Sequence, residues 1–574
     1  MIPTGATDGR NTQQPPNVWY NKLTMLIERL TRAVKDALAI CRAEDLVPDV
    51  GVPVEVVAQA GAYATNAPLL LARRSENAVS TAGVRAGVYA EHLAENINAH
   101  PDTPAVARAS DTGTLLLYPS PAAYADAVRA VLDAGDDWGA GKNGAESRAT
   151  ASRALVEFVS ANPNTPLSLH HARGATIGDA MCRLLTASGY AVEREFYVND
   201  GASAPQLRSL ARAVFGAYRE RFGVAAGEIS SEGYSGEYVS NLAQKIAESS
   251  GDRYVDLSAE AAATALTPAV VSLMQAEQEE TLSRFGVRFD RWFSEAGLLA
   301  GGALQNVLDA LLASGAAYAH GGALWLQTTR YGDDGDRVLL RNDGTPSYFA
   351  GDLAYHADKL QGRAYDLTVD VWNADHQPYI GRTMAGLAAL GVPNVEHRLR
   401  IAVFGTVRAL QDGSELRTGR YASGVVTLKE VLDAGADADA LRFALLLAAP
   451  MAAPMDLSVD ALAPSAPNNP LAGIRAALTK TDGTADSGSN AETGEPTEDT
   501  AAFAIIRRLD MFPDTVRGAA VAAAPTEVAR YAWSLADAVN RWEGADDTAT
   551  SGMTLRAAGV TLRNALRLLG IEST

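Results

Sequence analysis

Residues 154–200 read ALVEFVSANPNTPLSLHHARGATIGDAMCRLLTASGYAVEREFYVND. The first nine, ALVEFVSAN, form a short, mostly apolar run, as in a strand buried on both faces. A proline-marked loop follows. GATIGDAMCRLLTASGY has the spacing of an amphipathic helix and stops at Gly189. EREFYVND is the next strand. Strand, loop, helix and strand in that order predict an α/β fold with a parallel, doubly wound sheet.

Working outward, residues 285–400 return to the same alternation, with ALWLQTT and DLTVDVWNAD as strands. Residues 201–280 between them are predicted to be a helical insertion. Upstream, 1–16 reads as a disordered leader and 17–135 as a small α+β domain. Within that domain Trp19–Ala43 is helical, GVPVEVVAQ a strand, NAPLLLARR a helix and GTLLLYP a strand. The polar stretch 136–152 reads as a linker, and 153–427 as one α/β domain. Downstream, 428–465 is a helical stem and 466–574 a helical domain. An acidic, low-complexity insert at 479–502 is expected to be disordered.

The chain has 574 residues, enough for three or four domains. Apolar residues make up 47% and charged residues 20%, which excludes a wholly disordered chain. Acidic residues outnumber basic ones 68 to 49, a formal charge of -19. That field repels phosphate backbones, so nucleic-acid binding requires a local basic surface. Two cysteines, Cys41 and Cys182, exclude a disulfide scaffold and a zinc ribbon. The longest apolar stretch, Phe443–Met455, carries two prolines and is too short to span a bilayer. The polar N-terminus lacks the apolar core of a signal peptide, so a cytoplasmic location without membrane contact is expected.

The loop-to-helix junction at 156–179 places His170, His171 and Arg173 at a helix N-terminus. Such a terminus with cationic side chains suits a nucleotide phosphate. Local features alone leave open a surface loop with two solvated histidines.

Eight segments in order carry a resemblance: GAYATNAPLLLARR (61–74), VEFVSANP (156–163), ARGATIGDA (172–180), REFYVNDGA (194–202), DRWFSEAGL (290–298), the long run 322–359, DVWNADHQPY (370–379) and GVVTLKEVLDAGADADALRFALL (424–446). The chain resembles the arginyl-tRNA synthetases, class I enzymes that make arginyl-adenylate from arginine and ATP and pass arginine to tRNA. The resemblance implies a Rossmann-like catalytic domain over 153–427. It also implies an N-terminal domain of the kind that binds the tRNA elbow, and a C-terminal helical domain of the anticodon-binding kind. It assigns the arginine pocket to Glu157, Asn162, Tyr348 and Asp352, carboxylates pairing with the planar guanidinium. Read alone, Tyr348 is equally a core residue.

The family's His–x–Gly–His signature falls on Ser168–Leu169–His170–His171, so His171 is kept and His170 stands where a glycine makes room for adenine. The family's Lys–Met–Ser–Lys loop falls on Arg417–Thr418–Gly419–Arg420, which implies catalytic roles for His171, Arg417 and Arg420. The Gly–x–Asp–His segment is Asn373–Ala374–Asp375–His376. The resemblance therefore implies ATP contacts from His170, His171, Asp375 and His376. Mg²⁺ would travel with ATP, and no metal cage of protein ligands is expected.

Tyr63 and Asn66 match a motif that touches tRNA in the family, or else serve as domain core. From Pro470 onward there are 10 Lys/Arg against 14 Asp/Glu, and the family's aromatic anticodon run is missing. A kept arginine pocket, altered ATP signatures and an acidic C-terminal region together place one reading first. It is an ATP-dependent ligase that joins arginine, or another guanidino acid, to an acceptor other than tRNA. A genuine divergent arginine–tRNA ligase and an inactive arginine- or tRNA-binding pseudo-synthetase are the alternatives. By analogy with the family, a monomer is expected.

Overall fold

The computed structural model describes residues 25–59, 62–74, 82–140, 152–201, 204–225, 233–417, 424–448, 450–483, 501–542 and 549–572. The expected leader 1–16, most of the linker 136–152, and 484–500 of the low-complexity insert lie outside them. The start of that insert is ordered, because the helix Ala472–Asp482 runs into it.

The chain divides into two compact units: 1–149 with 477–514 and 535–564, and 150–476 with 515–534 and 565–574. In the first, helices α1 (Leu26–Ala43), α2 (Ala67–Arg74), α3 (Ala82–Ala99) and α4 (Pro121–Ala134) accompany an antiparallel sheet. Its strands are β1 (Val57–Gln59), β2 (Ala62–Thr65), β3 (Ala105–Ala109) and β4 (Leu115–Pro119), ordered β1-β2-β4-β3. The strand expected at 51–59 is thus confined to its last three residues. The N-terminus of α1 is satisfied from far along the chain. Asp510 accepts hydrogen bonds from the backbone N–H of Leu26 (2.9 Å) and Ile27 (3.1 Å). A carboxylate distant in sequence thus satisfies two orphan helix donors.

The second unit holds the predicted parallel sheet. β5 (Arg153–Glu157) leads through a loop to α5 (Leu169–Ala187) and on to β6 (Ala191–Val198). Three helices follow: α6 (Ala204–Arg221), α7 (Glu237–Ser250) and α8 (Ala259–Arg284), which share a hydrophobic cluster of their own around Leu210, Phe215, Tyr218, Leu242 and Leu266. The chain then makes β7 (Arg291–Ser294), the helices α9 (Glu295–Ala300) and α10 (Ala303–Ala313), and an antiparallel sheet of β8 (Ala317–His320), β9 (Ala323–Leu326) and β10 (Arg337–Leu340). Next come α11 (Tyr348–Ala357), β11 (Leu367–Asn373) and β12 (Leu399–Phe404). The five-stranded sheet runs β12-β11-β5-β6-β7, parallel throughout.

From β5 the chain first winds outward through β6 to β7, and later returns on the other side as β11 and β12. The order therefore reverses between β5 and β11. In open α/β sheets the ligand crevice lies outside the carboxyl ends of the strands at such a switch point.

α5 sits very close to the sheet. A Cβ at Gly178 would lie 2.1 Å from Cγ of the Phe158 ring, so only glycine permits this approach. Gly178→Ala is expected to cost about 1–3 kcal/mol, the usual range for overpacking. Denaturant unfolding checks it, and an unchanged midpoint would refute the close approach. Among the described residues, no helix is long and apolar enough to cross a membrane.

Candidate functional site

Polar residues of the second unit gather where the topology directs them. Glu157 ends β5, Glu295 follows β7, and Asn373 ends β11. Val159 and Ser160, just after β5, both have left-handed backbone (φ 69° and 43°). A β-branched residue at positive φ is strained, and such strain concentrates at functional sites. The turn is held by Ser160 Oγ, which donates to Glu157 Oε1 at 2.7 Å and accepts from the Tyr197 N–H at 3.3 Å.

Under the crevice lies a buried ionic network. α11 ends in a π-helical turn, Asp358–Gly362, that carries Lys359 beneath the sheet. Its fully buried ammonium donates to Glu157 Oε2 (2.7 Å) and Asp370 Oδ1 (2.9 Å) and lies 4.1 Å from the Tyr355 ring centre. His356 sits between two acceptors: the Asp370 carboxylate (Nε2, 2.7 Å) and the Asp352 carbonyl (Nδ1, 2.7 Å). Both ring nitrogens must then donate, so the ring is an imidazolium. Its pKa is raised accordingly: burial opposes the charge, but Asp370 outweighs it. Asp370 moves the other way, to about 2, because Lys359 and His356 overcome the burial that would raise it.

Two cations thus neutralise two carboxylates, Glu157 and Asp370. The Asp352 carboxylate is bonded to neither cation, although both lie near it. Asp352 opens on the crevice, where solvent reaches it, while protein crowds its other sides. That crowding pushes its pKa up to about 6, assisted by Glu157 and Glu295 and resisted by His356 and Lys359. Carboxylates that repel one another in a partly dry cleft make a site for a cation. Tyr348 lies one helical turn before Asp352 on α11, at the mouth, with 70% of its surface exposed.

Several expectations need correction. Glu157 has one oxygen bonded to Ser160 and the other to Lys359, so it anchors the buried network and is not a spare partner for a guanidinium. Asn162 accepts from Asn199 Nδ2 at 2.8 Å. Its amide is therefore tied to neighbours beside the crevice. Tyr348 is not core. Tyr63, expected to meet tRNA, is fully buried in the first unit, and its hydroxyl donates to Asp510 Oδ2 at 3.2 Å. It is a core residue. Asn66 of the same motif is exposed and accepts from Thr114 Oγ1 at 3.3 Å.

The nucleotide side departs further from expectation. His171 is the N3 residue of α5 and closes a capping box: its Nδ1 accepts the Ser168 N–H at 3.1 Å. Burial, then the neighbouring His170, push its pKa down to about 4, so near neutral pH it offers no cation to a phosphate. Arg173 is fully buried and donates to the carbonyls of Gly405 (2.8 Å), Met451 (2.9 Å) and Ala453 (2.9 Å). It ties together loop carbonyls beyond β12 and does not face an anion. Arg417 is exposed and pairs with Glu415 at 3.3 Å, while Arg420 lies outside the described residues. Asp375 and His376 are exposed beyond the end of β11, open to a ribose.

Glu295, Lys359, His356 and Asp370 were not singled out from sequence. Glu295 lay inside a recognised segment, 290–298, and its position just after Ser294, the N-cap of α9, was the available signal.

Comparison with known proteins agrees with this geometry. Residues 140–443 match the model for the catalytic domain of class I tRNA synthetases (R). The arginine–tRNA ligase of Geobacter sp. (strain M21) is 31% identical over 92% of this chain and 95% of its own. That of Syntrophotalea carbinolica is 31% identical over 95% of this chain and 99% of its own. The arginyl-tRNA synthetase of Thermus thermophilus superposes with a TM-score of 0.69 at 20% identity, covering 96% of this chain and all of that one. Together with the class I sheet, these matches mean that the chain belongs to the arginyl-tRNA synthetase family.

Proposed function

We propose that this protein is an arginine–tRNA ligase, which activates arginine with Mg²⁺-bound ATP and transfers it to tRNA. The observation that carries the proposal is end-to-end relatedness: the match to the Syntrophotalea ligase takes in 99% of that protein, so both units have counterparts. The reading placed first from sequence, ligation to an acceptor other than tRNA, has no such support. Neither has the inactive pseudo-synthetase. Both rested on the altered ATP signatures and the acidic C-terminal region, and both give way.

Within this proposal Asp352 and Glu295 take the guanidinium, with Tyr348 over the mouth. The strained turn after β5 fixes the arginine backbone, with Asn162 held beside it by Asn199. Asp375 accepts from ribose hydroxyls, His376 lies beside the phosphates, and Arg417 and Arg420 supply cations to them. Asn66 is the surface residue of the N-terminal unit placed to meet tRNA. A monomer acting in the cytoplasm is part of the same proposal.

Charging of tRNA with radiolabelled arginine, together with arginine-dependent ATP–pyrophosphate exchange, tests it. Exchange that requires tRNA, with charging, is the expected result. Exchange at full rate without tRNA, and no charging, would return the non-tRNA acceptor to first place.

A further inference from the structure

The two glycines that the resemblance expects in the nucleotide signatures are replaced by His170 and Asn373, and the structure brings these replacements together. Asn373 Oδ1 accepts the Asp375 N–H at 2.9 Å, as N-cap of the turn Ala374–Tyr379. That bond fixes the amide, so its Nδ2 is the group facing His170 Nε2, at 2.6 Å. An amide N–H can meet only an acceptor nitrogen, so His170 carries its proton on Nδ1 and is neutral. Burial, then Arg173, lower its pKa in the same sense. The buried Nδ1 has no hydrogen-bond partner. The ring also stacks on Phe404 at 4.8 Å between centres and 25° between planes. Phe404 is itself a fixed platform, because a Cβ on Gly174 of α5 would lie only 3.0 Å from its Cζ.

His170 stands at the start of α5, Asn373 at the end of β11 and Phe404 at the end of β12. Their contact spans the crevice at its switch point, where the proposed ATP site requires space for a flat base. The geometry points to a latch: His170 and Asn373 hold the base subsite shut, and ATP enters by displacing the His170 ring from both Asn373 and the Phe404 face. The inference rests on the ATP-dependent reading above. The latch makes His170 a competitor of the nucleotide and not one of its ligands. It also explains why two departures from the family pattern, 203 residues apart, occur in one chain. Either alone would leave a polar group in the crevice without its partner.

The test is titration calorimetry of ATP with Mg²⁺ into the full chain and two variants. His170→Gly removes the ring. Asn373→Ser keeps an N-cap oxygen for Asp375 but removes the amide that holds His170. Removing a hydrogen bond and a stacking contact from the closed state should tighten ATP binding about five- to thirty-fold in His170→Gly, and by less in Asn373→Ser. In pyrophosphate exchange the KM for ATP should fall while that for arginine moves far less, a split that general loosening does not produce. Should His170→Gly not fold, Asn373→Ser carries the test. Equal ATP affinity in all folded proteins overturns the latch and leaves the ATP reading standing. Weaker binding by either variant also overturns it. Absence of ATP binding by wild type and variants alike overturns the latch together with the function on which it rests.

Discussion

Asp352→Asn is expected to weaken arginine binding about 100-fold near neutral pH, as read by titration calorimetry. The estimate follows from the usual cost, roughly 2–5 kcal/mol, of truncating one partner of a desolvated charge pair. Asparagine preserves the side chain's size and removes only its charge. The crevice already carries the repulsion that arginine would relieve, since Glu157 and Glu295 both push the Asp352 pKa upward. The same variant should therefore melt no lower than wild type without ligand, and lower than wild type with saturating arginine.

The pH dependence has a definite sign. With its pKa raised to about 6, Asp352 must lose its proton to pair with a guanidinium. Arginine affinity should be flat above neutrality and fall as the pH drops through 6. In the apo protein the sign for stability is opposite: a carboxyl with a raised folded pKa favours the fold as it is protonated, and that contribution is lost as pH rises through the folded pKa. In Asp352→Asn both dependences should disappear. Unchanged arginine affinity in the variant would remove Asp352 from the pocket.

The parallel sheet was legible because its information is local. The buried run at β5, the loop, and the helix ending at Gly189 lie within about 50 consecutive residues, and each follows from hydrophobic period and turn chemistry. What escaped was pairing over distance. Tyr63 reads as an aromatic in a recognised motif, and only the fold reveals that its hydroxyl meets Asp510, 447 positions away. Glu157 reads as a substrate carboxylate until Lys359, 202 positions on, is found bonded to it. His171 misled in another way. It matches a signature histidine as pattern, but burial and the neighbouring His170 keep it neutral, and its Nδ1 is taken by the capping box with Ser168. The nucleotide-side changes were visible as substitutions, yet nothing in the linear order of residues puts His170 against Asn373.

Lys359→Met should destabilise the second unit by about 3–5 kcal/mol near neutral pH, the usual cost of leaving a buried ion without its partner. Methionine nearly fills the space of the lysine stem, so packing contributes little and charge decides the outcome. Wild type needs the pair of cations because Glu157 and Asp370 are buried and both touch the Lys359 ammonium. The linkage signs define the window. Asp370 is held at about 2, so its contribution is present above the ordinary carboxylate range and is lost only as pH falls through 2. For Lys359, burial opposes the charge but Asp370 and Glu157 outweigh it, raising its pKa. That contribution is present below the ordinary lysine value and is lost as pH rises through the raised one. The contribution of these two groups is therefore level across the neutral range, whereas that of His356, whose pKa is raised, is present below the ordinary histidine value and is lost as pH rises through the raised one. In Lys359→Met the two carboxylates lose their cation and their pKa values climb. The deficit should then shrink as pH is lowered from about 7 to about 5, where protonation substitutes for the missing charge. Adding Glu157→Gln should recover part of the loss, because Glu157 is the carboxylate that loses its ion pair while Asp370 keeps His356. If Lys359→Met unfolds at the wild-type denaturant midpoint near neutral pH, the ammonium does not hold the floor of the site.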